Sequence, residues 1–264
     1  MVSPGRRFRE RLRTGIDPSN QSRQGRQYMK RISIRLGLTL LILVALAWGV
    51  ERFSDANRYQ LFGKIIAKVH TEDKVIALTF DDGPTDEATP EVLKILADRG
   101  VIATFFVNGI AVERHPDAMR AIIAAGHEVG NHTWSHRRMM LVSPSAVRKE
   151  LEPTDAILRD VGYEGPLHFR PPYGRKLFSL PLHLAREDRL TVMWSVAAET
   201  FQPDQTAEDI ARRVLAQAGP GDIVMLHLMF RGNANSRAAL PVIIDDLSAR
   251  GYRFVTVSDL LSYR

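Results

Sequence analysis

From Val75 onward the chain alternates between short apolar runs and longer helix-like stretches, and this alternation restricts the available folds more than any other feature. The apolar runs cover 75–80, 101–107, 127–131, 167–170, 190–196, 222–227 and 253–257. Between most of them lie stretches with helix punctuation: 89–99, with Pro90 near its start and Gly100 after it, 116–125 closed by Gly126, 144–160, 206–218 closed by Gly219, and 236–250 closed by Gly251. Apolar runs of this length read as strands buried on both faces, so the pattern predicts a parallel sheet covered by helices, an α/β fold. Seven or eight repeats in about 190 residues suit a (β/α) barrel at least as well as an open doubly wound sheet.

Upstream of this pattern the sequence changes character. Leu36 to Val50 are fifteen uncharged residues rich in Leu, Ile, Val and Ala. With residues 32–35, whose arginine can snorkel, the stretch nears the roughly twenty needed to cross a bilayer. Residues 1–35 hold ten Lys/Arg against Glu10 and Asp17, so the formal charge of +6 belongs to the tail. By the positive-inside rule, residues 1–31 read as a basic cytoplasmic tail and 32–50 as one transmembrane signal anchor of the inner (cytoplasmic) membrane. Residues 51–72, with Phe53, Tyr59, Ile65, Ile66 and Val69 at near-helical spacing, then form a juxtamembrane connector, and 73–264 a folded domain on the extracytoplasmic side. Ala45-Leu46-Ala47 has the form of a signal-peptidase site, which leaves a cleaved signal open; an amino-terminal region of about thirty residues favours the uncleaved anchor.

A charge surplus confined to the tail argues against a nucleic-acid groove in the folded domain, where the cations would have to cluster. The chain has no cysteine, so any metal must be held by histidine and carboxylate.

Four strand ends carry reactive side chains. Residues 79–84 read Thr-Phe-Asp-Asp-Gly-Pro, placing Asp81 and Asp82 where a strand meets a turn. Taken alone this is also how a solvated turn is built. Two adjacent carboxylates at a strand's carboxyl end must otherwise share a proton, bind a metal or meet a cation. The third run leads into Asn131-His132-Thr133-Trp134-Ser135-His136. Two imidazoles four apart can share one face of a helical turn and reach one ion, and a carboxylate from the Asp pair would complete a His2Asp set with positions open for water and substrate. After the fourth run comes Arg170-Pro171-Pro172-Tyr173-Gly174, a stiffened loop whose Arg170 can grip a carboxylate or simply face solvent. The sixth run ends in Leu226-His227, a catalytic imidazole or a satisfied core histidine.

These motifs, in this order and at about these intervals, resemble the polysaccharide deacetylase family (carbohydrate esterase family four), over roughly residues 73–264. The resemblance implies a distorted (β/α) barrel of seven to eight strands, here preceded by one transmembrane helix. It implies zinc or a similar divalent ion on Asp82, His132 and His136, Asp81 as general base paired with Arg170, the Tyr173 backbone N–H in an oxyanion hole, and His227 as general acid. The implied reaction is removal of acetyl groups, N-acetyl rather than O-acetyl, from a cell-surface polysaccharide or oligosaccharide such as peptidoglycan or poly-N-acetylglucosamine. His70, His115, His127, His168 and His183 match no catalytic position and read as structural or surface residues.

One departure concerns His227. Where the family carries Asp-x-x-Asp-aromatic, this chain reads Ala197-Ala198-Glu199-Thr200-Phe201. The second Asp, which charges and orients the acid histidine, aligns with Thr200, a neutral hydroxyl, unless Glu199 turns inward to substitute. The departure keeps a second reading alive, a catalytically weakened scaffold that binds glycan at the membrane.

Overall fold

The computed structural model describes residues 18–197, 199 and 205–264. The chain divides between Glu51 and Arg52 into two units. A helix, Pro18–Ser54, occupies the described part of the first. Within it Tyr28–Ser54 holds a window of mean hydropathy 2.0, long and apolar enough to cross a membrane. Leucine, alanine and isoleucine dominate this stretch without a polar face, so the helix offers no single side for packing, and Leu36, Leu40 and Leu43 are exposed.

The second unit is an α/β structure whose strands, β1 (Ile65–Ile66), β2 (Val75–Gly83), β3 (Thr104–Val107), β4 (Glu128–Asn131), β5 (Thr191–Val192), β6 (Val196–Ala197), β7 (Ile223–His227) and β8 (Arg253–Phe254), pair only in parallel among the described residues. The sheet order is β4-β3-β2-β7-β6, with β8 beside the start of β2 and β1 beside β5. Phe169 joins the two groups through single parallel bridges to Asn131 and Thr191. The central strand β2 is buried at all nine positions: Val75 to Leu78 and Phe80 are the apolar residues expected between parallel neighbours, and Thr79, Asp81 and Asp82 are buried with them. Helices Thr89–Ala97, Pro116–Ala124, Ala207–Gln217 and Ala234–Ala249 lay Val92, Leu96, Met119, Ile122, Val214 and Ile243 into one core with Leu78, Phe80 and Phe105. Their starts follow local chemistry: Thr206 and Asp209, for example, close a capping box. Gly130 lets β3 and β4 approach closely, since a Cβ there would stand 2.5 Å from the Phe106 ring.

Three expectations change. Residues 167–170 do not form a strand: Phe169 bridges its neighbours singly, and the chain turns away at Pro171-Pro172, which cannot donate to a ladder. The run 190–196 is not one strand but two short ones, β5 facing β1 and β6 facing β7. The near-helical spacing within the connector 51–72 does not produce one helix. Helix ends at Ser54, and Ile65 and Ile66 form β1, bringing the segment from Arg52 onward into the folded unit. Two β-branched residues against an open strand edge gain more from pairing than from helix.

Candidate active site

In a regular strand successive side chains point to opposite faces, so Asp81 and Asp82 should diverge. They do not, because the pairing of β2 with β3 steps from Asp81↔Phe106 to Gly83↔Val107 and leaves Asp82 as an extra residue. Asp82 takes a left-handed φ of 70° at this bulge. Both carboxylates then reach His132 Nε2, Asp81 Oδ2 at 3.9 Å and Asp82 Oδ1 at 3.5 Å.

The two histidines are brought together by a loop, not by the helical turn that their spacing predicts. Thr133 and His136 have φ of 69° and 58°, and Asn131 Oδ1 accepts the Thr133 N–H at 2.7 Å, fixing a tight bend in place of helical bonds. His136 Nε2 lies 3.2 Å from Asp82 Oδ1. His132 Nδ1 is 2.8 Å from the Arg170 carbonyl, which can only accept, so this nitrogen holds the proton and Nε2 offers a lone pair. Burial, then the neighbouring His132, push the His136 pKa below its ordinary value against the opposing pull of Asp82 and Asp81, and so favour a neutral ring. One donor atom each from Asp82, His132 and His136 lie within 4.8 Å of one another. Asp82 Oδ1 is buried and has no hydrogen-bond partner among the described residues. An orphaned carboxylate oxygen facing two imidazole lone pairs is the arrangement a divalent cation fits.

Arg170 is fully buried beneath this group. Its Nη1 donates to Asp81 Oδ1 at 2.7 Å and to Thr79 Oγ1 at 2.8 Å, while Nε and Nη2 donate to the carbonyls of Val192 and Met193. The Phe106 ring lies 4.1 Å from its guanidinium carbon. Burial would raise the pKa of Asp81, but Arg170, with His132 and His227, holds the carboxyl below its ordinary 3.8. Asp81 is therefore an anion with one oxygen on Arg170.

His227 enters through strand register, opposite Asp81 on β7, and its Nε2 stands 3.8 Å from Asp82 Oδ2. The position that the resemblance aligns with its partner, Thr200, lies outside the described residues. Glu199 turns inward: its Oε2 is 2.6 Å from His227 Nδ1, and both its oxygens accept the His227 N–H. Of the two positions the sequence leaves open, Glu199 is the one the described residues bring to His227, because only the fold shows which side of the chain faces β7 there.

Tyr173, at φ 58°, lies in a short turn, Pro172–Gly174, and its ring is 4.6 Å from that of His136. The structure thus brings together all seven residues singled out from the sequence: Asp82, His136, Tyr173 and His227 line a cleft of about 840 Å³ whose walls include Trp194, Phe230 and Asn233, and Asp81, His132 and Arg170 are buried behind them. Trp194, Phe230 and Asn233 carry no sequence signal. Among the other histidines, His127 is buried, accepts the Ala103 N–H at 3.2 Å and is pushed down to about 4 by burial.

The family model for polysaccharide deacetylase matches residues 68–188. A peptidoglycan-N-acetylglucosamine deacetylase of Bacillus cereus is 36% identical over 204 residues, covering 76% of this chain and 95% of that protein. The peptidoglycan-N-acetylmuramic acid deacetylase PdaC of Bacillus subtilis is 36% identical over 193 residues, 73% of this chain but 40% of PdaC. Among solved structures, the Bc1960 peptidoglycan N-acetylglucosamine deacetylase, in complex with a benzamide ligand, superposes with a TM-score of 0.70 at 32% identity, over 74% of this chain and 91% of that one.

Proposed function

The chain belongs to the polysaccharide deacetylase family and is a deacetylase, and from that premise we propose that it removes N-acetyl groups from peptidoglycan or a similar cell-surface glycan outside the cytoplasmic membrane. Asp82, His132 and His136 would hold a divalent ion, zinc by their nitrogen and oxygen donors. When bound, such an ion polarises the acetyl carbonyl and acidifies water.

The chain's own groups supply the rest. Asp81, ionised and fixed by Arg170, takes a proton from the attacking water as its oxygen bonds to the carbonyl carbon. The N–H of Tyr173, on the loop beside His136, serves as donor to the developing oxyanion. His227, charged with the help of Glu199, gives a proton to the amide nitrogen as the C–N bond breaks, so acetate and a free amine leave. The continuous pairing from β6 through the six-stranded sheet and Phe169 to the β5–β1 pair supports the distorted barrel that presents these strand ends on one cleft. Residues 32–50 are the anchor that keeps the domain at the membrane.

What supports this reading most is the orphaned Asp82 Oδ1 between two imidazoles. Acetate release from N-acetylglucosamine oligomers and from peptidoglycan, with zinc added, tests it against Asp81→Asn. Release by wild type alone is the expected result. Equal traces from both proteins would leave the glycan-binding scaffold instead. A reporter fused after Arg264 should work only on the outer side of the membrane; cytoplasmic activity would reverse the topology.

A further inference from the structure

Residues 54–57 follow the apolar run after Glu51, Arg52 and Phe53 and precede the part of the chain that the family model matches. They pack against two walls of the cleft. Ser54 is fully buried, and its carbonyl accepts the Lys176 N–H at 3.1 Å. The Lys176 ammonium, on a residue only 2% exposed, donates to the Ala56 carbonyl at 2.5 Å and to that of Gly174 at 3.4 Å. Arg175 reaches Ser54 Oγ at 3.3 Å and Asp55 at 3.7 Å. On the other wall, Asn57 Nδ2 donates to the Trp194 carbonyl at 3.0 Å.

The loop held in this way is one that needs holding. Tyr173 and Gly174 both have left-handed φ, 58° and 67°, and a Cβ on Gly174 would stand 3.2 Å from both Met193 and Trp194. A non-glycine residue in that conformation persists only where its surroundings over-determine it. A buried ammonium is also a poor device for stability alone, since the desolvation of the charge offsets most of what its bonds return. Its geometry serves position: one cation ties the carbonyl of Gly174, next to Tyr173, to the carbonyl of Ala56.

We infer that residues 54–57 are positioning residues of the deacetylase, holding the 172–176 loop and the Trp194 wall at the spacing the substrate requires without touching it. This rests on the reading of Tyr173 as an oxyanion donor. The segment next to the anchor is then part of the catalytic apparatus and not a passive tether.

The test uses the full-length protein in detergent micelles, with Asn57→Ala, Lys176→Met, Lys176→Arg, and Arg58→Ala as the control from the same segment. A displaced donor lowers turnover more than binding, so Asn57→Ala and Lys176→Met should each lose about tenfold in kcat with KM within about twofold. Lys176→Arg should recover part of the loss, and Arg58→Ala should behave as wild type. Amide deuterium exchange over residues 172–177 should quicken in the first two variants. That readout needs no turnover, so an inert wild type would sink the deacetylase reading while exchange still judges the tie. Unchanged kcat in both Asn57→Ala and Lys176→Met, with only a lower melting temperature, would overturn the inference. So would unchanged exchange in both. Asn57→Ala guards against misfolding of Lys176→Met.

Discussion

Glu199 Oε2 stands 2.6 Å from His227 Nδ1, and the Glu199 oxygens take the backbone N–H of His227 at 2.9 and 2.8 Å. The carboxylate fixes the proton on Nδ1 and leaves Nε2 directed to the side of Asp82. Burial pulls the His227 pKa down, but the bond to Glu199 and the charges of Asp81, Glu199 and Asp82 outweigh it and raise the value to about 9. An imidazole in that state is a proton donor at neutral pH. Because the folded value exceeds the ordinary 6.5, the group's contribution to stability is complete below 6.5 and is lost as pH rises through about 9.

Asp81→Asn removes the proton acceptor while keeping the shape of the side chain. Its kcat should fall by about 10² to 10⁴, the usual contribution of a positioned general base. Zinc binding should change much less, since Asp82 carries the orphaned oxygen. Steady-state acetate release and zinc titration measure the two. Activity within a few fold of wild type would move the base elsewhere.

His132→Ala removes one of three donors and opens the hydrogen bond to the Arg170 carbonyl. Bound zinc, read by elemental analysis after gel filtration, should drop to trace levels together with activity. His136→Ala should do the same. Its ring is partly exposed and lies at the edge of the cleft, so its loss should disturb the fold less. Near-stoichiometric zinc in either variant would break the His2Asp assignment.

Much of this site is visible in the sequence because its chemistry sits at strand ends, where type and order of residues are local properties. Asp81, Asp82, His132, His136, Arg170 and His227 all stand out in this way. Less visible is how they meet. Strict alternation would send the two aspartates apart, and only the bulge at Asp82 turns them to one side. The spacing of His132 and His136 suggests a helix, yet the Asn131 side chain captures the Thr133 N–H and bends a loop instead. The pairing of Glu199 with His227 links positions 28 apart, and the support from Asn57 to Trp194 links positions 137 apart. Contacts that distant follow from strand register and packing, to which no short motif responds. The two-residue strands β1 and β5 escape for a related reason, since two residues cannot display a period.

Arg170 and Asp81 form a buried pair, with side chains 0% and 3% exposed. Removing one partner strands the other charge in the core, so Arg170→Met should cost about 3–5 kcal/mol in urea unfolding. The double variant Asp81→Asn with Arg170→Met should cost less than the two singles added, because neither charge is left alone. The depressed pKa of Asp81 means that its share of stability is present above the ordinary 3.8 and lost as pH falls through the lower folded value. Additive costs in the double variant would show that the pair does not couple.

The last expectation concerns Glu199→Gln, which keeps the length of the side chain and removes its charge. An amide can still accept the Nδ1 proton, but it no longer stabilises the imidazolium as an ion pair, so the His227 pKa should fall. If His227 must be protonated to release the amine, the alkaline limb of kcat/KM should move to lower pH, with the acid limb, set by Asp81, unchanged. The shift should be near one unit or more, since a charge-assisted bond is about twice as strong as a neutral one. Thr200→Asp should leave the limb in place, because the carboxylate it adds would compete for an imidazole nitrogen already held by Glu199. The measurement is the pH profile of kcat/KM for wild type and both variants under zinc saturation. An alkaline limb that stays fixed in Glu199→Gln and moves up in Thr200→Asp would return the role to position 200.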